Sequence, residues 1–351
     1  MMKTMTTAMT LIVSAGMVSA DDFTFRIGAG HPSAPAAYVS DMENFFVPEV
    51  IKRAEAAGHT VTFVQAYGGS IAGVAETLES VQNGVLDIGG YCMCFEPAKL
   101  FLHNFPYYAP FGPQDSNDAI AAARATYDAV PWLTEQFENE YSQVLLGLHG
   151  WDNYHLGTTE PWDTIEDLQG VKIAGAGPNL PWIEFAGGVP VQSTFPEGYL
   201  SLSTGVYDGW LILPSAYFGF KYHEPSPHYK LVGFGAVGIN ALTMNQRKFD
   251  SLPADLQTIL MEVGAAYEAQ AGESLNARQA WGLNGLTEAG ATITELSADT
   301  RTAWAQSLVG FPNQQAKEAD GRGMPGTEVL NAYLSAISDA GIEMPVEYAI
   351  D

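Results

Sequence analysis

Apolar and polar positions change their period along the chain, and the changes mark the elements. In Phe23–Gly30, Phe23, Phe25 and Ile27 fall on alternate positions, the period of two that predicts a strand. From Ser40 to Gly58 the apolar positions recur at helical spacing, with Ser40 as the expected N-cap and Gly58 as the stop. Strands are then predicted over Thr60–Gly68 and Leu86–Phe95, with a helix over Ala75–Val85 between them. Asn117–Tyr141 reads as helix broken before Pro131, and Ser142–Trp151 as an apolar strand.

A second unit repeats the alternation. Val171–Gly177 is a short strand, Asn179–Gly188 a helix, Val189–Ser193 a strand and Pro196–Gly205 a helix. Val206–Phe220 leads into a strand-like run, Tyr229–Asn245. Leu252–Ala289 then keeps a helical pattern, with Ser251 placed to cap it and Pro253 in its first turn. If continuous, that helix is ~55 Å long, more than one small domain needs, so it is expected to brace two. Gly264, Gly272, Gly282 and Gly285 weaken it by up to ~1 kcal/mol each. Helices over Ala298–Ala340 complete an α/β chain.

Length and charge narrow the class. At 351 residues the chain is long enough for two domains. Forty acidic residues against fifteen basic ones give a formal net charge of -25. Nucleic acid is thereby excluded as a partner, because phosphate contacts need a basic face. Lys3, the apolar run Ala8–Val18 and the small residues Ser19 and Ala20 before Asp21 form an export signal, with cleavage expected after Ala20. The run is too short to span a bilayer. The expected location is therefore the periplasm. Cys92 and Cys94 are expected as two buried thiols, since neighbours at i and i+2 of a strand make a strained bridge.

Catalytic and cofactor motifs are thin. Gly28-Ala29-Gly30 lacks the third glycine of a dinucleotide loop, and no GxSxG, HExxH or P-loop occurs. The seven histidines, His31 among them, lack metal-helix spacing and are expected in loops or cores. No enzyme activity, metal or cofactor is expected. What stands out is polar and aromatic residues at strand ends: Tyr91, Phe95 and Glu96; Trp151, Asn153, Tyr154 and His155; then Trp182, Glu197, Tyr199, Trp210 and Tyr217. Open α/β sheets bind ligands outside the carboxyl ends of their strands and between domains.

Four stretches carry a family resemblance: Glu79–Tyr91, with its G-x-x-D turn; Glu160–Ile173, ending in D-L-x-G-x-K-I; Pro196–Trp210, with T-G-x-x-D-G; and Ser251–Leu260. In that order they resemble the extracytoplasmic solute receptors of tripartite ATP-independent periplasmic (TRAP) transporters. The resemblance implies a type II-like periplasmic solute-binding fold, with two α/β domains closing at a hinge over a small organic ligand. It also implies delivery of that ligand to membrane permease subunits. The domains would be residues 21–147 with about 236–262, and 148–235 with about 263–351. A periplasmic sensory module on the same fold is the alternative.

Two positions depart from the family. After G-x-K-I these receptors usually carry an arginine that pairs with a substrate carboxylate; here Ala174 stands there. Lys172 shares its strand face, but a strand-end role is expected for it. After Asp208-Gly209 the family often has a polar run, whereas this chain has Trp210-Leu211-Ile212-Leu213. The expected ligand is therefore not a standard carboxylate. An aromatic wall with an acidic residue suits a small amine or amino alcohol such as ethanolamine, with a neutral, aromatic or carboxylate solute as the alternative. The expected binding residues are Tyr91, Glu96, Trp151, Asn153, Tyr154, Ala174, Glu197, Trp210 and Tyr217.

Overall fold

The computed structural model describes residues 22–351, so the export signal and its cleavage site lie outside the described residues. Two sheets organise the chain. In the first, the order is β2 (Thr60–Ala66), β1 (Asp22–Ala29), β3 (Ile88–Cys92), β10 (Ile239–Asn245) and β4 (Gln143–Gly150). Strands β1, β2 and β3 run parallel, and β10 lies antiparallel between β3 and β4. In the second, the order is β11 (Thr292–Glu295), β9 (His228–Leu231), β5 (His155–Thr158), β8 (Gly209–Ile212), β6 (Lys172–Gly175) and β7 (Val189–Gln192).

The chain crosses between the sheets inside a stretch that reads in sequence as one strand-like run. That run, Tyr229–Asn245, is two strands, β9 in one sheet and β10 in the other. Gly233 and Gly235 turn the chain between them at positive φ. Residues 151–154 make the other crossing, from β4 to β5.

The long helix Ala254–Glu288 is continuous and packs on both halves. Pro253, not Ser251, is its N-cap, and the Ser251 hydroxyl instead bonds the Lys248 carbonyl at 2.7 Å. Its glycines are contact points rather than weak spots. A Cβ on Gly264 would collide with the Leu146 carbonyl of β4, and one on Gly282 with Pro214 and Ser215 of the other half. The helix that was expected to start at Ser40 begins three residues earlier, at Ala37. It passes through a π-turn at Met42–Phe46 before Pro48, whose missing N–H an α-helix interior does not accommodate, and ends at Gly58 in the left-handed region as expected. The C-terminal helices differ from the expected division. Gly326–Asp339 packs against the helices Phe105–Tyr108 and Ser116–Ala129 of the first half, and Phe311–Gly321 bridges, with Phe311 meeting Tyr108 of the first half and Phe185 of the second.

Candidate ligand-binding site

The segments that follow β1 and β3 meet those that follow β6 and β7, and an aromatic box forms between them. His31 follows β1 after Gly30 and is buried. Tyr38 comes from the helix Ala37–Asp41, Phe95 from the 3-10 turn Met93–Phe95, and Trp151 from the β4–β5 crossing. Phe195 arrives from the second half, as the first residue of the helix Phe195–Ser203. Phe195 stacks on His31 with centroids 5.1 Å apart and planes at 29°. Trp151 meets His31 edge-on at 5.7 Å, Tyr38 does so at 5.9 Å, and Phe95 is tilted at 5.5 Å. Across the same gap, a Cβ on Gly177 (φ 61°) would lie 3.0 Å from the Cys94 carbonyl, so the two halves touch. This is a closed arrangement.

The two cysteines are not thiols. Cys92 and Cys94 form a disulfide. The chain leaves β3 at Cys92 and enters a 3-10 turn, which places the Cα atoms 5.1 Å apart on one side, within bridging range. The Trp151 indole N–H reaches Cys92 Sγ at 3.3 Å, so the disulfide backs the box.

Polar groups of the box are few. His31 Nδ1 is 3.0 Å from the Tyr38 hydroxyl, and Nε2 has no partner among the described residues. Burial lowers the His31 pKa to about 4, so the ring is neutral at pH 7. Among the described residues no lysine or arginine lies over one of the five rings or donates to one. Six arginines are engaged elsewhere: Arg26 with Asp87, Arg53 with Glu49, Arg124 with Glu268, Arg322 with Glu318, and Arg278 and Arg301 with backbone carbonyls. Arg247 sits on Gln246–Asp250, past the end of β10 remote from the box.

The expected site residues divide into three groups. Trp151 is in the box. Ala174 and Trp210 lie beside it, paired in register on adjacent parallel strands and so on the same sheet face. Ala174 is 0% exposed, and Trp210 packs on Tyr222 at 5.1 Å and on Phe195 at 6.4 Å. The gap left by the missing arginine is thus flanked by indole. Lys172 is exposed and supplies no cation there.

Asn153 and Tyr154 fix the crossing instead. Asn153 donates to Gln114 Oε1 at 2.7 Å and accepts from the Gly235 amide at 2.9 Å. The Tyr154 hydroxyl bonds that of Tyr107 at 2.7 Å. His155 and Trp182 are similarly occupied: His155 Nδ1 accepts from the Gly233 amide, and the Trp182 indole donates to the Tyr107 carbonyl.

The remainder serve single halves. Tyr91 bonds Gln143 at 2.9 Å inside the first sheet, and Tyr217 bonds the Ser226 carbonyl at 2.6 Å inside the second. Glu197 is exposed and closes a capping box with Thr194, because it is the third residue of its helix. Tyr199 is exposed and bonds Glu224. Glu96 is 6% exposed; its Oε2 pairs with Lys99, which also pairs with Glu79, its Oε1 has no partner among the described residues, and burial raises the Glu96 carboxyl to about 7.

His31, Tyr38 and Phe195 were not singled out as ligand residues. The position of His31 immediately after the first strand was the available signal.

Comparison with known proteins agrees with this architecture. The profile of the bacterial extracellular solute-binding proteins, family 7 (DctP), matches residues 54–316. The C4-dicarboxylate-binding periplasmic protein DctP of Rhodobacter capsulatus is 28% identical over 309 residues, covering 80% of this chain and 90% of that one. A TRAP solute-binding protein from Rhodoferax ferrireducens, solved with copurified benzoate, superposes with a TM-score of 0.80 at 18% identity, covering 91% of this chain and 98% of that one. A marine metagenome TRAP protein specific for aromatic acid ligands, solved with 3-hydroxybenzoate, gives 0.80 at 21% identity, covering 91% and 99%. These structural likenesses establish the fold. The family match, over most of the chain, establishes the class: this protein belongs to the family 7 extracellular solute-binding proteins, the extracytoplasmic receptors that deliver small solutes to the membrane permease of TRAP transporters.

Proposed function

We propose that this receptor takes a small, uncharged solute with an aromatic or otherwise apolar body. One observation carries the reading: five rings meet between the halves with no charged side chain among them. A carboxylate buried there would lack the guanidinium that the family places at position 174, at a penalty of several kcal/mol. An ammonium such as that of ethanolamine would need an anionic partner; Glu197 is tied into a cap, and Glu96, whose Oε2 pairs with Lys99, is pushed by burial toward its neutral form. The amino-alcohol expectation therefore gives way to the neutral one. A second reading, an aromatic acid, draws support from the two superposing proteins solved with benzoate and 3-hydroxybenzoate.

Thermal-shift screening against neutral aromatics, amines and carboxylates separates these readings. A ligand at a hundredfold excess over its Kd stabilises the native state by about 2.7 kcal/mol. Neutral aromatics are expected to raise Tm. Shifts from amines alone, or from carboxylates alone, would overturn the proposal.

A further inference from the structure

We infer that His31 selects the ligand: it presents an Nε2–H donor to the box between the halves, so the solute carries a hydrogen-bond acceptor, a carbonyl, ether or phenolic oxygen, next to its ring. This rests on the reading that the ligand occupies that box.

The tautomer follows from Tyr38. Its hydroxyl is buried, and its one hydrogen-bond partner among the described residues is the His31 imidazole Nδ1 at 3.0 Å. A buried hydroxyl proton needs an acceptor, and Nδ1 is the one within reach among the described residues, so the hydroxyl donates to it. Nδ1 is then the acceptor, and the ring proton sits on Nε2. That nitrogen is buried without a partner, a state that few native polar groups occupy unless something else completes them.

The surroundings turn this donor into a condition for closure. Phe195, stacked on the imidazole, belongs to the second half, whereas His31, Tyr38 and Phe95 belong to the first. In an opened receptor Phe195 withdraws and water reaches Nε2. Closing over an empty box strips that water and leaves the donor unmatched. Closing over a solute with a suitably placed oxygen replaces it. The acceptor thereby favours the closed state over the open one, which is the differential a ligand needs to shift the equilibrium.

The same arrangement sets a charge preference. Among the described residues the rings packed on the imidazole are those of Tyr38, Phe95, Trp151 and Phe195; of these Tyr38 titrates, and burial drives its hydroxyl far above the ordinary range. No neighbouring carboxylate helps the imidazole to charge. A neutral acceptor binds the neutral ring directly. A carboxylate binds well only if the ring takes up a proton, so its affinity falls toward tenfold for each pH unit above the imidazole pKa in the complex.

The test uses the mature receptor with benzamide and benzoate as probes, titrated calorimetrically at pH 5.5 and 7.5, and 15N spectra of the His31 ring. Expected are equal benzamide affinities at both pH values, weakening of at least tenfold in His31→Phe, and an Nε2–H tautomer at pH 7 that Tyr38→Phe disturbs. Unchanged benzamide binding in His31→Phe, an Nδ1–H tautomer, or an imidazolium at pH 7 overturns the inference. If benzoate binds and benzamide does not, the uncharged-ligand reading fails, and loss of benzoate binding in His31→Phe still decides for or against the donor. If neither probe binds, the tautomer decides.

Discussion

Introducing the family's arginine, Ala174→Arg, tests whether the missing guanidinium has been replaced by packing. Ala174 is fully buried on β6, with Val191 of β7 and Trp210 of β8 as its register partners. Trp210 is itself held by Tyr222, and by Gly198, where a Cβ would lie 2.5 Å from the indole. A long side chain at 174 therefore enters an occupied layer. Overpacking of this kind costs about 1–3 kcal/mol. A guanidinium buried without a partner adds more, although part of it can extend toward the cleft. We expect a loss of about 3–5 kcal/mol, read as a fall of roughly 4–7 °C in Tm for a chain of this length. Trp210→Gln in the same chain should relieve it, with a coupling of about 1–2 kcal/mol in a double-mutant cycle by urea denaturation. If Ala174→Arg is as stable as the parent while Trp210 is intact, or if the cycle is additive, the position is an open slot and the packing argument is wrong.

Other parts of the fold make separable predictions. Asp152 is buried at the crossing, accepting from the Ser215 hydroxyl at 2.7 Å, and burial raises its carboxyl to about 7. The folded state thus keeps a proton that the unfolded chain releases near pH 4. The stability it confers is lost as pH rises through 7, by about 4 kcal/mol. Asp152→Asn should flatten the stability profile between pH 4 and 7 by that order, and an unchanged slope in chemical denaturation would contradict it. Arg124 grips the nearly buried Glu268 with two bonds of 2.6 Å, and Glu268 also accepts from the Leu148 amide of β4. Arg124→Ala leaves that carboxylate unpaired and should lower stability by about 3 kcal/mol, whereas Arg124→Lys should recover part of the loss. Gly264→Ala forces the long helix off β4 and should destabilise by more than about 2 kcal/mol, despite the higher helix propensity of alanine. A gain in Tm there would show that the helix seats loosely.

Local periodicity carried most of the elements. The β1 pattern, the helix break near Pro131, the Gly58 stop and the single long helix all rest on forces within a few residues, and all are present. What failed is non-local. The run Tyr229–Asn245 reads as one strand-like stretch, and the sheet partners separate β9 from β10. The roles of Glu197 and Glu96 depended on what approaches them: a cap geometry for one, Lys99 for the other. The disulfide was misjudged because a strand was extended through Phe95, when the chain already turns at Met93. Ala174 was legible as a departure. That Trp210 flanks it required the register of β6 with β8. His31 was visible only as one histidine among seven, since its neighbours Trp151 and Phe195 lie far along the chain.

The most direct test of the central claim is the charge of the solute the receptor selects for itself. The purified protein is stripped of bound solute by unfolding and refolding, incubated with a metabolite extract, washed, and its bound small molecule released and identified by mass spectrometry. The account predicts an uncharged compound with a ring and at least one oxygen acceptor, held equally at pH 5.5 and 7.5. Recovery of a dicarboxylate or an alkylammonium compound would contradict it.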